Sequence, residues 1–343
     1  MKYIGNKTRL LDFIDKSMQD AGVVQSGVFA DLFSGTASVG KYFKQKGLQV
    51  VSNDLMTYSY FAQYVLIKLN RLPSFAKISQ SGLDGALEEL NSLSPKKGYV
   101  FENYAPSGKA HRQYFSDNNA QKIDAIRDKI QKWYNEDLIN MDEHAVLVYA
   151  LIDAADFVAN ISGTYGAYLK IWRSMALKPL TLKRPDIISN DRANQIYQEN
   201  ANLLARKIQA DIVYLDPPYN ARQYAPNFHV LESLAVWDKQ ELYGKTGQRD
   251  YSDKKSLYCQ KTTAESAFAD LIKNIQSKYI VLSYNNEGII PREKIINILK
   301  TRGKVQEFTT DYRRFRTEKD HAHRHYKKCD DKVLEHLFVV EIA

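Results

Sequence analysis

Residues 210–220 read Ala-Asp-Ile-Val-Tyr-Leu-Asp-Pro-Pro-Tyr-Asn, and the fold turns on this stretch. Ile212 to Leu215 form a short, continuously apolar run, which predicts a strand buried on both faces, as in a parallel sheet. The run delivers Asp216 to the carboxyl end of that strand, where open α/β sheets bind their ligands. Pro217 and Pro218 then remove two backbone donors and restrict φ. The result is a stiff, extended corner whose carbonyls stay free to accept. Tyr219 follows at once. A plain strand-to-loop corner can also read Asp-Pro-Pro; the buried lead-in, the two prolines and the aromatic together favour a site.

Working outward, similar runs occur at Val28–Phe33, ending at Ser34-Gly35, and at Leu48–Ser52, ending at Asn53-Asp54. Others are Tyr279–Ser283, Val305–Tyr312 and Leu337–Ile342. Helical stretches lie between them. Gln121–Trp133 carries Ile123, Ile126, Ile130 and Trp133 at helical spacing, with Asp117 or Asn118 available as a cap. Strands alternating with helices predict a doubly wound, Rossmann-like α/β core. Residues 72–194 break the alternation with helices, loops and almost no buried-strand signal, including a polar, loop-like stretch from Ser94 to Asn119. We read 72–194 as a mainly helical insertion into a catalytic domain built from 1–71 and 195–343. Long crossover helices within one domain would give a similar pattern, and Glu143–Ile161 is apolar enough to pack on the sheet.

The chain has 343 residues, 44% apolar and 26% charged, with a formal net charge of +8. That is ordinary globular composition with a basic balance, which points to a polyanionic partner without naming it. No run approaches the ~18 apolar residues of a membrane span. The opening MKYIGNKTRLLDF, broken by Gly5, Asn6 and Arg9, does not read as a signal peptide. Cys259 and Cys329 are too few for a disulfide framework, so a reducing, cytoplasmic setting and no membrane are expected.

The second informative stretch is Asp31-Leu32-Phe33-Ser34-Gly35-Thr36-Ala37-Ser38-Val39-Gly40. A strand runs into a small-residue turn and then a helix, so a ligand can approach the main chain. Asp54 ends the next strand nineteen residues after Gly35. A carboxylate there can accept from both hydroxyls of a ribose. The glycine spacing is not that of a dinucleotide site, and no GxxxxGK[ST] loop is present. An ordinary tight turn with a capping Asp remains the plainer alternative.

The chemistry suited to Asp216-Pro217-Pro218-Tyr219 follows from its parts. An exocyclic amine on adenine is a poor nucleophile because its lone pair is delocalised into the ring. Two acceptors aimed at its hydrogens, the Asp216 carboxylate and the Pro217 carbonyl, favour the tetrahedral nitrogen that attacks a methyl sulfonium. Their value lies in being fixed before charge develops. Tyr219 can stack on the base, which has to be rotated out of a duplex to arrive there.

With these motifs in place the sequence resembles the alpha-group, Dam-like DNA adenine-N6 methyltransferases, and within them the branch that accompanies restriction enzymes. Tyr3-Ile4-Gly5-Asn6-Lys7, Phe33-Ser34-Gly35-Thr36-Ala37 and the Asp216 corner occur in the family's order, and the likeness covers most of the chain. The resemblance implies a seven-stranded methyltransferase sheet with an inserted target-recognition region. It implies S-adenosylmethionine as donor, double-stranded DNA as substrate, and a cognate restriction endonuclease as partner, with no metal required. It also implies that Tyr3, Lys7, Asp31, Asp54 and Asp216 lie in or beside the donor pocket, lined by Phe33 and Gly35. Ala37 departs from the family's frequent glycine, and Tyr3 stands where tryptophan is common. Ser162–Lys170, Arg222-Gln223-Tyr224 and Leu282-Ser283-Tyr284-Asn285 resemble the restriction-associated branch. Arg222 and Tyr224 are placed in the pocket wall or against DNA, although loop packing would account for them too.

From Asp311 to Lys328 there are seven Arg or Lys against three acids, with His321, His323 and His325 and several aromatics interleaved. Arg313, Arg314, Arg316 and Arg324 are candidate phosphate contacts; a solvated charged loop is the plainer reading. The histidines and Cys329 lack a second cysteine pair, which disfavours zinc. Tyr243, Lys245, Arg249 and Tyr251, in the loop from Asn227 to Lys261, look exposed and suited to recognition. Aspartate at the corner favours adenine over cytosine, where Ser is usual, and over protein glutamine, where Asn is usual. An RNA target, or a non-catalytic nucleic-acid-binding protein retaining the fold, are the alternatives.

Overall fold

The computed structural model describes residues 6–313 and 332–342. The chain divides into two compact units. One comprises Ile4–Leu55, Arg192–Tyr224 and Lys255–Ala343; the other comprises Met56–Asp191 and Ala225–Lys254.

The first unit is built on one seven-stranded sheet. Its strands are β1 (Val28–Asp31), β2 (Gln49–Asn53), β3 (Gln195–Tyr197), β4 (Ile212–Leu215), β5 (Tyr279–Asn285), β6 (Gly303–Arg313) and β7 (Lys332–Ile342). They lie in the order β3-β2-β1-β4-β5-β7-β6. The first five are parallel, whereas β7 runs antiparallel to both β5 and β6. Every residue of β4 is buried, as its unbroken apolar run requires.

Alternate side chains of the strands feed two cores. Phe29, Ile212, Tyr214, Val281, Leu337 and Val339 pack with Leu10, Ile14, Met18, Val39 and Phe43 from the helices Leu11–Asp20 and Ser38–Gln45 and the turn before them. Ala30, Val213, Ile280, Leu282, Phe338 and Val340 face the opposite way, onto Leu204, Phe268, Leu271, Ile272, Ile295 and Leu299. Apolar cover on both faces is what makes the sheet doubly wound.

The expected strands are present with shifted ends. β1 stops at Asp31 rather than Phe33: after a last ladder bond from the Leu32 amide to the Tyr214 carbonyl, the chain turns through Gly35 at φ 52°. β3 escapes a sequence reading: it is a three-residue, partly exposed edge strand. The helix read at Gln121–Trp133 runs Asp117–Asn135, and its cap is Ser116, which accepts from the Asn119 amide. Asp117, offered above as the cap, is instead inside the first turn and accepts from Ser107.

The second unit is mainly helical. The stretch Ser94–Asn119, read above as a loop, contains a helix at Tyr99–Tyr104 whose amides at Val100 and Phe101 donate to the buried Asp124 carboxylate at 2.8 Å. Glu143–Ile161 is mostly the helix Met141–Phe157, started by a capping box between Asn140 and Glu143. Its packing partners include the helices Thr57–Gln63, Asp117–Asn135 and His229–Val236. Buried Glu232 accepts from the amides of Thr57 and Tyr58 and pairs with Lys254. No helix among the described residues is long and apolar enough to cross a membrane.

Candidate active site

Chain order reverses between β1 and β4: the chain proceeds outward from β1 through β2 to β3, then returns to the other side of β1. The carboxyl ends of β1 and β4 therefore open onto the switch point at which such sheets bind ligands. Asp31 ends β1 and Asp216 follows β4 directly.

Asp216 is joined there by two other ionisable groups. Lys7 enters from the short 3-10 turn Lys7–Leu10, which starts at Asn6, whose side chain accepts from the Thr8 amide. Its Nζ lies 3.4 Å from Asp216 Oδ1 and 3.4 Å from Glu335 Oε2, with Lys7 and Glu335 each 4% exposed. At that length the Asp216 contact is an ion pair, and Oδ1 has no hydrogen-bond partner. Burial disfavours the Lys7 ammonium, yet Asp216 and Glu335 outweigh it and hold its pKa well above the ordinary value. Burial pushes Asp216 up to about 6; Lys7 opposes the shift and Glu335 adds to it. The corner thus holds a partly exposed carboxylate whose buried oxygen faces a locked cation.

Tyr219 extends this arrangement. Its ring meets Tyr284 edge-on with centroids 5.9 Å apart, and Lys7 Nζ stands 5.9 Å from its centroid. Its carbonyl accepts from the Ile289 amide at 2.8 Å, while Tyr284 Oη accepts from the Ile290 amide at 3.1 Å. The adjacent amides of Ile289 and Ile290 thus hold the Tyr219 backbone and the Tyr284 ring that packs against it. Burial raises the Tyr219 hydroxyl to about 12, so it stays neutral.

The ends of β1 and β2 are stitched together. The Gly35 amide donates to Asp54 Oδ2 at 2.8 Å, and Ser34 Oγ donates to the Asn53 carbonyl at 2.7 Å. Asn53 Nδ2 donates to the Leu32 carbonyl at 3.1 Å. Gly35 and Ala37 both have positive φ, 52° and 60°, so the turn that begins the Ser38–Gln45 helix is left-handed at two places. Ala37 thus occupies a conformation that glycine adopts without strain, which is the physical content of the departure noted above. Asp31 is 1% exposed and accepts from the Phe33 amide at 3.3 Å. Burial and the nearby Asp216 and Asp54 charges raise its pKa well above the ordinary value, against the Phe33 and Gly40 amides. Phe33 packs edge-on against Tyr258 at 5.3 Å.

The structure thus brings Lys7, Asp31, Phe33, Gly35, Asp54, Asp216, Pro217, Pro218 and Tyr219 to the carboxyl edge of the sheet in one unit. Arg222 is exposed; its amide donates to Asn220 Oδ1 and its carbonyl accepts from Cys259. Tyr224 is half-buried. Tyr3, Arg314, Arg316, Arg324, His321, His323, His325 and Cys329 lie outside the described residues, as does the side chain of Arg313. Arg249 does not match its reading as an exposed recognition residue. It is buried and paired with Asp238 at 2.7 Å, whereas Tyr243 is 58% exposed. Glu335 was missed, because the last strand was read from Leu337 onward. The available signal was an acid two residues before an apolar strand core.

The residues present fit a nucleoside-bearing methylsulfonium donor. A glycine turn braced on a strand-end carboxylate stands beside a buried acceptor with no hydrogen-bond partner. Asp31, Asp216 and Glu335 against Lys7 leave an anionic lining suited to a cation. Among the described residues no cluster of His, Cys, Asp or Glu could hold a metal.

Comparison with known proteins is in accord with this geometry. The profile of the D12 class N6 adenine-specific DNA methyltransferases matches residues 3–298. The chain is 38% identical to the Type II methyltransferase M.NlaIII of Neisseria lactamica over 343 residues, covering 99% of each. It is 40% identical to the Type II methyltransferase M.FokI of Planomicrobium okeanokoites, covering 99% of this chain and 52% of that protein. It is 43% identical to the modification methylase StsI of Streptococcus sanguinis, covering 91% of this chain and 47% of that protein. The chain therefore spans about half of two of these relatives and nearly all of the third. With the profile matched over most of its length and the Asp216 corner seated at the switch point, this chain belongs to the D12 class of N6 adenine-specific DNA methyltransferases.

Proposed function

We propose that this chain transfers a methyl group from S-adenosylmethionine to the N6 amine of adenine at a specific site in duplex DNA, with the target base rotated out of the helix. The observation that carries the reading is the Lys7–Asp216 ion pair beside Tyr219, which holds a partly exposed carboxylate at the switch point. The donor supplies an electrophilic methyl on a cationic sulfur. Asp216 and the Pro217 carbonyl accept the two N6 hydrogens and draw the nitrogen toward tetrahedral geometry. As the N–C bond forms and the S–C bond breaks, positive charge appears on nitrogen and is met by Asp216. One N–H proton leaves after transfer, so Asp216 need not be a strong base. Tyr219 stacks on the flipped base, and the braced corner fixes the attack geometry. Asp54 accepts from the ribose hydroxyls, with Phe33 and Gly35 against the nucleoside and Lys7 and Asp31 completing the pocket. Tyr3 is assigned beside them on resemblance.

For the DNA, Arg222 and Tyr224 are assigned to the pocket wall or the duplex, and Arg313, Arg314, Arg316 and Arg324 to phosphates; the last four assignments rest on sequence. Target recognition is assigned to the mainly helical region 72–194. Two relatives named as Type II methyltransferases support a restriction–modification setting, with a cognate endonuclease as partner and an intracellular location. The test is tritiated methyl transfer to mixed-sequence DNA by wild type and Asp216→Ala, followed by nucleoside digestion. Label in N6-methyldeoxyadenosine with wild type alone is expected. Absence of label, or label in a ribonucleoside or in cytosine when RNA and DNA are offered together, overturns the reading.

A further inference from the structure

The segment 157–185 carries five cations, Lys170, Arg173, Lys178, Lys183 and Arg184, and no Asp or Glu. It lies wholly within the helical unit and is irregular over most of its length. Irregular backbone is usually mobile, but this one is pinned by four amide side chains. Asn160, fully buried, donates to the carbonyls of Gln113 and Leu169 and accepts from the Arg173 amide at 3.0 Å. Gln113 donates to the carbonyls of Leu169 and Lys170. Asn119 donates to the carbonyls of Ala176 and Lys178 and accepts from the Leu180 amide. Asn91 exchanges two bonds with the backbone of Leu182.

Two pairs of side chains project into solvent from this clamped backbone. Ile171 is 83% exposed next to exposed Lys170, and Leu177 is 59% exposed next to exposed Lys178. Neither lysine makes an ion pair among the described residues. The other three cations are engaged: Arg173 with the Ile161 carbonyl, Arg184 with Asp84, and Lys183 over the Phe157 ring. The fold thus holds two aliphatic–lysine pairs in solvent on a segment that itself carries no acid. Protein–protein contacts favour a continuous apolar centre depleted of lysine. Nucleic acid favours the arrangement seen here: single aliphatic wedges between cations, already ordered before binding.

We infer that segment 157–185 is a duplex-docking surface on which Lys170 and Lys178 meet phosphates and Ile171 enters a base step. The choice of duplex DNA rests on the functional reading above; the placement of the wedge and its two cations rests on this segment alone. Lys170 and Lys178 contribute two phosphate contacts to the salt-dependent part of binding, and Ile171 the deformation of the duplex.

The full-length chain is tested against relaxed closed-circular DNA and mixed-sequence duplex. Lys170→Ala/Lys178→Ala is expected to lower the slope of log K against log salt by about 1.8, since each lost phosphate contact removes about 0.9. Ile171→Ala is expected to leave the slope unchanged, weaken binding about tenfold, equivalent to about 1.4 kcal/mol, and abolish the unwinding that wild type causes in a topoisomerase relaxation assay. Both variants should melt and bind S-adenosylmethionine like wild type. An unchanged salt slope in the double lysine variant overturns the phosphate contacts, and unchanged unwinding with Ile171→Ala overturns the wedge. If instead the variants alter sedimentation of the protein alone, the surface joins two copies and the proposal fails. If wild type binds and unwinds DNA as described but methylates none, the functional reading fails and the docking surface stands.

Discussion

The Lys7 ammonium nitrogen lies 3.4 Å from Asp216 Oδ1 and 3.4 Å from Glu335 Oε2. One buried cation from the N-terminal turn therefore serves two carboxylates, the partly exposed Asp216 and the buried Glu335. Removing it leaves like charges unpaired out of water. Lys7→Met is expected to destabilise the fold by about 3–5 kcal/mol, the usual cost of stranding a buried charge. Glu335→Gln should cost far less, because Lys7 keeps Asp216. Lys7→Met/Glu335→Leu should recover part of the loss. Urea unfolding of the three variants checks this, and equal losses from Lys7→Met and Glu335→Gln would count against the shared-cation arrangement.

The same triad sets a pH dependence. Burial, helped by Glu335 and opposed by Lys7, raises Asp216 to about 6, and the ionised form is the one that accepts from the amine. kcat/KM for methyl transfer, which reports the free enzyme, is expected to fall as pH drops through about 6. Glu335→Gln removes the repulsion, so the acid limb should move to lower pH. The stability sign is opposite. The folded value lies above the unfolded value of about 3.9, so the contribution of Asp216 to stability is complete below that value and lost as pH rises through about 6. Asp216→Asn should therefore be no less stable than wild type at pH 7 while losing transfer. A rate profile whose acid limb ignores Glu335→Gln would sink the assignment.

Much of this was legible in the sequence, for identifiable reasons. β4 was read to the residue because a strand buried on both faces announces itself as an unbroken apolar run ended by prolines. Lys7 was found only through resemblance, since a lysine in an N-terminal turn has no periodicity to betray it. Glu335 was not found, because its importance comes from the antiparallel register that sets it opposite Asn285 and Thr310. β3 was missed because a polar edge strand of three residues borrows its order from β2. The Tyr99–Tyr104 helix was missed because its start depends on Asp124, more than twenty residues away. Arg249 read as a recognition residue because charge in a loop reads as exposure, and only tertiary structure reveals Asp238.

Ala37 offers a test of the donor turn. Its φ of 60° is a left-handed conformation at a fully buried position, just before the Ser38–Gln45 helix. Ala37→Gly relieves roughly 1–2 kcal/mol of backbone strain. It gives up about 0.8 kcal/mol of methyl burial and about 0.4–1 kcal/mol through the freer unfolded chain. It should therefore be close to neutral. Ala37→Val keeps the strain, adds β-branching and has no space to occupy, so a loss above about 2 kcal/mol is expected. Thermal melts and donor titration of both variants check this. A Val variant as stable as wild type would mean the turn is not left-handed at this position.

Tyr219 separates stacking from hydroxyl chemistry. Its ring is held by the edge of Tyr284 and by the Ile289 amide on its own carbonyl, and its hydroxyl, raised to about 12 by burial, stays protonated at neutral pH. The ring face is thus the part available to a flipped base. Tyr219→Phe preserves that face and should keep most of the methyl-transfer rate. Tyr219→Ala removes a stacking contact worth about 1–3 kcal/mol per base, which corresponds to a loss of roughly 5-fold to 150-fold in kcat/KM. S-adenosylmethionine affinity should change much less than DNA turnover in either variant. Single-turnover transfer to an adenine duplex gives the methylation rate. A parallel duplex with 2-aminopurine at the target position, which lacks the C6 amine, reports flipping alone, because its fluorescence rises when the base leaves the stack and is quenched when an aromatic covers it. With Tyr219→Ala the flipped base should be brighter than with wild type and methylation slower. Equal brightness in wild type, Tyr219→Phe and Tyr219→Ala would show that Tyr219 does not stack on the base, leaving it as a wall residue held against Tyr284.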